Sequence, residues 1–268
     1  MPIKRVLFLG DACSAAGREA VKHGLIQLQR SSSYDFIIVN VENAAGGYGI
    51  TSKLGEEILR DGVDCMTTGD HAYDRKESWD YYNTQPKLLR PLNFPLGAPG
   101  RGYAVFEKNG FRIGVVNLLG RVFMKPLDCP FHRVSGVVDE LRRETATIIV
   151  DFHAEATAEK EAMGWYLDGR VSAVLGTHTH VQTADEHVLP EGTAYISDVG
   201  MCGAFDSVLG MGKDRALQRI IEMLPVRLHP GTCDPRINGV VVEVDSSTGK
   251  ALSIERVNLG LENGEKTG

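Results

Sequence analysis

The 268-residue sequence predicts an α/β fold of mixed β-sheets covered by helices. Three observations predict it. The N-terminal third alternates short β-branched runs with longer amphipathic ones, the pattern of parallel strands joined by crossover helices. Two later stretches read as antiparallel hairpins. No internal repeat, low-complexity linker or charge block divides the chain, so a single domain over residues 1–260 is expected, with a frayed tail at 261–268.

The elements come in this order. RVLFLG (5–10) is a first strand; Asp11 ends its brief apolar run, so it is not a signal peptide. A helix over about 15–29 leads to the strand DFIIVNV (35–41), then a helix over 51–60 and the strand VDCMTTG (63–69). In GYAVFEKNGFRIGVVNL (102–118), Asn109 and Gly110 separate two alternating apolar runs, a strong hairpin signal. TATIIVDFH (145–153) and VSAVLGTHTH (171–180) are buried strands around a helix at 156–166. INGVVVEVDSSTGKALSIERVNL (237–259) is the second hairpin, turning near 247–250.

Composition narrows the function class. The chain is 43% hydrophobic and 24% charged, with a formal net charge of −6, which speaks against membrane insertion and against an extended nucleic-acid-binding surface. A small phosphate substrate stays compatible, because its binding depends on local charge. No apolar stretch approaches the roughly 18 residues of a membrane span. Five scattered cysteines form no C-x-x-C pair, which points to a reducing cytoplasm rather than a disulfide framework or zinc ribbon.

Candidate chemistry sits just past the end of each strand. Asp11 follows the first, Glu42 and Asn43 the second, Asp70 and His71 the third, His153 closes TIIVDF, and His178 and His180 follow VSAVLG. Each alone admits a structural role, such as a helix N-cap for Asp11 or a hydrogen-bonded core residue for His153. Their repetition at one structural position points to a site, because ligands in α/β sheets bind beyond the carboxyl ends of the strands. In THTH, a spacing of two sends both imidazoles to one side of an extended segment. Imidazole and carboxylate without thiolate suit iron, manganese or zinc, and eight candidates exceed the needs of one tetrahedral ion. A two-metal centre is the economical reading. An amidohydrolase also uses His-x-His, but there the pair ends the first barrel strand, whereas here the first strand ends in Asp11.

The segments LFLGD (7–11), VENAAGGYG (41–49), GDHAYD (69–74), RPLNFP (90–95), NLLGR (117–121), VDFHAEATAEKEAMGWYLDGR (150–170), GTHTHVQTAD (176–185) and GTAYISDVGM (192–201) resemble the YmdB-like branch of the calcineurin-like metallophosphoesterases. The resemblance implies an αββα sandwich of two mixed sheets flanked by helices. It also implies a dimetal phosphodiesterase acting on 2′,3′- or 3′,5′-cyclic nucleotides or related phosphodiesters through a metal-bridging hydroxide. Asp11, Asn43 and His180 would hold one ion, Asp70, His153 and His178 the other, with Glu42 bridging and His71 as general acid. The metals would be iron or manganese, with zinc as a third candidate. Homo-oligomers are common among relatives.

Two positions depart from the family pattern. Asp70 stands where most members have asparagine, and with Asp11, Glu42 and a bridging hydroxide it raises the negative charge from three to four. That neutralises two divalent ions. Weaker catalysis, a more highly charged metal pair such as mixed-valence iron, or a metal-binding regulatory protein on the same fold would result. Ser14 stands where glycine is common. Cys13 is read as a small loop residue rather than a thiolate ligand, and Arg121 and Arg170 are candidate phosphate contacts.

Overall fold

A computed structural model describes residues 2–261 and shows strands of the first half ending side by side. The chain runs β1 (Ile3–Leu9), β2 (Asp11–Ala12), α1 (Ser14–Ser31), β3 (Phe36–Asn40), α2 (Ser52–Arg60) and β4 (Cys65–Thr67). After a 3₁₀ turn come α3 (Trp79–Thr84), β5 (Tyr103–Lys108), β6 (Phe111–Leu119), α4 (Pro130–Leu141), β7 (Thr147–His153), α5 (Thr157–Leu167) and β8 (Ala173–Thr177). The rest is β9 (His187–Val188), β10 (Ala194–Ile196), β11 (Met201–Ala204), α6 (Lys213–Glu222), β12 (Pro235–Asp245) and β13 (Ala251–Gly260).

Two mixed sheets result. The seven-stranded sheet has the order β2-β11-β12-β1-β3-β4, with β13 paired to β12; the six-stranded sheet has the order β5-β6-β7-β8-β10-β9. Within the first, β1, β3 and β4 are parallel neighbours. Within the second, β6, β7 and β8 are. The five strands that end in candidate ligands therefore form two parallel groups, one in each sheet.

Period-two side-chain alternation explains the layers. On β1, Leu7 and Leu9 turn to a cluster with Val21 and Leu25 of α1 and Ile58 of α2. Val6 and Phe8 turn the other way and meet Ile113, Ile149, Leu175 and Ile196 of the second sheet. On that sheet's far side, Leu118, Ile148 and Val150 pack with Val134 and Val138 of α4 and Met163 of α5. Three apolar layers thus separate helices, sheet, sheet and helices, the expected αββα sandwich.

Both hairpins form where the sequence places them. Asn109 and Gly110 have φ of 51° and 75°, the positive pair that a two-residue type I′ turn requires. Leu261, expected to fray, packs against the first core and donates its backbone N–H to Pro235 O at 3.2 Å. The remainder of the expected frayed tail, 262–268, lies outside the described residues. No helix among the described residues is long and apolar enough to cross a membrane.

Candidate metal centre

The sandwich brings the strand ends of both sheets together. Glu42, Asp70, His153 and His178 each offer a donor atom within 4.8 Å of the others. His153 is the hub: its Nε2 lies 3.1 Å from Glu42 Oε1, 3.4 Å from Asp70 Oδ1 and 3.0 Å from His178 Nδ1. Asp11 is fully buried beside it, 3.7 Å from His153 Nδ1, and accepts the backbone N–H of His178 at 3.1 Å. At the other end, His180 Nε2 lies 3.2 Å from Asn43 Oδ1.

Hydrogen bonds on the far side of each ring select the nitrogen that faces inward. The Thr177 hydroxyl donates to Asp151 Oδ1 at 2.7 Å, so its oxygen accepts the His153 Nδ1 proton at 2.8 Å and Nε2 faces the cluster. His178 turns Nε2 to Glu155 at 3.1 Å, which presents Nδ1 to the cluster. His180 donates from Nδ1 to Leu209 O at 3.1 Å, while the Asn43 amide donates to Gly47 O at 3.0 Å. Two acceptors, His180 Nε2 and Asn43 Oδ1, are left facing one another, a pairing that a cation resolves.

The donor chemistry fits metal. Asp11 Oδ1 is buried with no hydrogen-bond partner among the described residues. Burial pushes the Asp11 carboxyl up to about 7 against the pull of His153 and His180. For Asp70, burial also opposes ionisation, but the His153 hydrogen bond and the His153, His71 and His178 charges prevail and hold it well below the usual carboxylate range. Glu42 is lowered by the same balance of burial against His153. His153 is raised, since Glu42, Asp70 and Asp11 outweigh its own burial. Three enclosed carboxylates beside imidazole rings are a donor set that could hold a hard or borderline cation.

His71 lies at the rim, its Nε2 3.9 Å from Asp70 Oδ2 and its Nδ1 2.7 Å from Asp74 Oδ2. The ring meets Tyr48 edge-on at 5.0 Å. These residues open onto a cavity of about 370 Å³ lined by Glu42, Asn43, Tyr48, His71, His178 and His180. The loop bearing the two outer histidines is strained: His178 and His180 have φ of 107° and 66°. Asp198 holds it, accepting the Thr179 backbone N–H at 2.9 Å and hydroxyl at 2.8 Å, and pairs with the buried Lys160 ammonium at 2.8 Å.

All eight sequence candidates thus meet in one place. Arg170 does not: its guanidinium binds Ser135 and Asp139, and it takes no part in the cavity. Arg121 lines a separate shallow pocket with Glu159. Cys13 is buried, its thiol pushed up to about 12 by desolvation and then by Asp11 and Glu42, so it stays protonated. Ser14 occupies the left-handed region at φ 62°, a conformation that glycine adopts without strain. Sequence reasoning missed Asp74, Thr177, Asp151, Glu155, Lys160 and Asp198. Only Asp74, three residues after His71, carried a local signal.

The YmdB-like protein family profile matches residues 7–257. A 2′,3′-cyclic-nucleotide 2′-phosphodiesterase of Bacillus subtilis (strain 168) is 46% identical over 253 residues, 94% of this chain and 96% of the relative. A crystal structure described as a novel phosphatase from Mycoplasma pneumoniae superposes with a TM-score of 0.91 at 36% identity, covering 97% of this chain and 94% of that one. A hypothetical protein from Thermus thermophilus superposes at 0.89 with 37% identity, covering 96% and 100%. The profile match over residues 7–257 and the 46% identity over 94% of the chain show that the chain belongs to the YmdB-like family.

Proposed function

We propose that the chain is a cytoplasmic metal-dependent phosphodiesterase of one domain, acting on 2′,3′-cyclic nucleotides and on 3′,5′-cyclic or related phosphodiesters. The observation that carries the reading is the meeting of Glu42, Asp70, His153 and His178 within 4.8 Å, with the His180 and Asn43 pair alongside. The name of the Bacillus subtilis relative supports the cyclic-nucleotide class. Five free cysteines suit a reducing compartment.

Asp11, Asn43 and His180 would hold one ion and Asp70, His153 and His178 the other, with Glu42 shared. An iron or manganese pair is the best match to these donors, with zinc next. When bound, such ions supply Lewis acidity toward phosphoryl oxygens and a nucleophile at neutral pH. His71 does the proton work: Asp74 fixes its ring through Nδ1, which leaves Nε2 at the cavity to protonate the departing oxygen. Tyr48 and Leu209 wall the cavity and orient the nucleoside.

The experiment is metal analysis of purified protein, followed by assays with manganese on an aryl phosphodiester and on both cyclic nucleotides. About two ions per chain and hydrolysis of the 2′,3′-cyclic substrate are expected. His71→Ala should lower turnover by about 10²–10⁴ with metal content kept; parallel loss of both would make His71 a ligand. Asp70 favours a second reading, a regulatory protein that binds metal without useful turnover; bound metal with no hydrolysis selects it. Protein without metal rejects both.

A further inference from the structure

Beside the metal cavity lies a second cleft of about 1050 Å³, and the two share Tyr48 as a wall. Four arginines line it, Arg75, Arg215, Arg219 and Arg227, against a single carboxylate, Asp74. Asp74 is already engaged with His71. A chain of net charge −6 therefore concentrates positive charge next to its reactive centre.

Two of the four guanidinium groups are free to take a ligand. Arg215 and Arg219 stand one turn apart on α6 and share a face. Arg215 donates to Gln218 Oε1 at 3.0 Å and lies beside the Asp214 carboxylate. Arg219 and Arg227 are lining residues that make no hydrogen bond or ion pair among the described residues. Arg75 instead braces the loop, donating to Tyr48 O at 3.0 Å and to Ala45 O. Planar forks without protein partners suit phosphate oxygens.

A cyclic mononucleotide has one phosphate, which the metal centre would take, and leaves nothing for this cleft. A 2′,3′-cyclic phosphate stands at the 3′ end of a ribonucleotide, so further phosphate can arrive only through the 5′ side. Building on the phosphodiesterase reading, we propose that the preferred substrate is a short oligoribonucleotide ending in a 2′,3′-cyclic phosphate. The cyclic ester sits at the metal centre, the terminal base packs on Tyr48, and the upstream phosphodiester lies among Arg215, Arg219 and Arg227. Water adds its oxygen to phosphorus, the bond from phosphorus to O2′ breaks, and O2′ takes the proton, which leaves a 3′-phosphate end. The reaction that supplies such ends is RNA cleavage by attack of the 2′-hydroxyl on its own phosphodiester.

The test compares kcat/KM on adenosine 2′,3′-cyclic phosphate, its 5′-phosphorylated form, and the dinucleotide ApA ending in the same cyclic phosphate. Enzyme with Arg219→Ala and Arg227→Ala is run beside the parent, and anisotropy of labelled ApA 3′-phosphate reads binding without turnover. The dinucleotide should exceed the mononucleotide by about tenfold in the parent. In the double variant that gain and the anisotropy signal should vanish while mononucleotide hydrolysis is unchanged. Equal rates on mono- and dinucleotide in the parent overturn the proposal, as does equal loss on both in the variant. Full gain from the 5′-phosphate alone shows a terminal-phosphate pocket and also overturns it. No hydrolysis of any cyclic phosphate overturns the phosphodiesterase reading itself, a separate result.

Discussion

Under the proposed function, the charge of Asp70 would set how strongly the centre attracts its substrate. Asp70 is ionised, held low by His153, His71 and His178 in spite of its burial, and it joins Asp11 and Glu42 around one cluster. Every added carboxylate cancels positive charge that would otherwise draw in a phosphodiester. Asp70→Asn should shift the metal content toward a divalent pair and raise phosphodiester turnover about tenfold, equal to about 1.4 kcal/mol. Metal analysis and steady-state kinetics check this; unchanged metal identity with unchanged rate would reject it. The residues that gather in the cluster were legible in the sequence because each follows a strand, and strand ends converge. The residues that orient them were not. Thr177 reaches His153, and Asp151 reaches Thr177, through contacts that join β7 to β8, and Lys160 meets Asp198 across 38 positions. Chain-distant pairs of this kind leave no local pattern.

Among the elements, the segment after β8 bears the most strain. His178 and His180 both take positive φ, an uncommon state for residues with a Cβ, and Asp198 anchors Thr179 between them. Lys160 and Asp198 are 2% and 1% exposed, so removing one partner strands the other charge in the interior. Lys160→Met should lower stability by about 3–5 kcal/mol in urea unfolding and weaken metal retention at His178 and His180. A loss below about 1 kcal/mol, the range of surface pairs, would show that Asp198 finds another counter-charge. Hairpins and buried strands were readable from alternation and from Asn109 with Gly110. α6 was missed although Leu217, Ile220 and Ile221 stand at helical spacing; in the fold that apolar stripe faces solvent instead of a core. α4 was also missed, although Pro130 at its first turn is a start signal. The insertion of β12 between β1 and β11 had no signal in sequence order.

At the scale of the whole molecule, the site spans the sandwich. Asp11, Glu42, Asn43 and Asp70 follow strands of the seven-stranded sheet; His153, His178 and His180 belong to the six-stranded one. A ligand that binds only the folded form stabilises it by mass action. Stripping metal by chelation should therefore lower the melting temperature, with a loss of about 3 kcal/mol where free metal stood at a hundred times its Kd. Identical melting with and without chelator would remove the metal from the stability of the fold. Asn40 adds a fixed polar link, donating from β3 to Asp151 of β7 at 3.0 Å.

That division of donors orders events in time. Oxygen ligands alone repel one another, and imidazoles alone leave half a coordination shell empty, so neither sheet is a competent receptor by itself. On the proposed function, ion capture would therefore wait until Val6 and Phe8 have docked on Ile149 and Leu175. In a refolding experiment, metal uptake would then act as a clock for the closure of the two halves, its rate following burial of that interface and never preceding it.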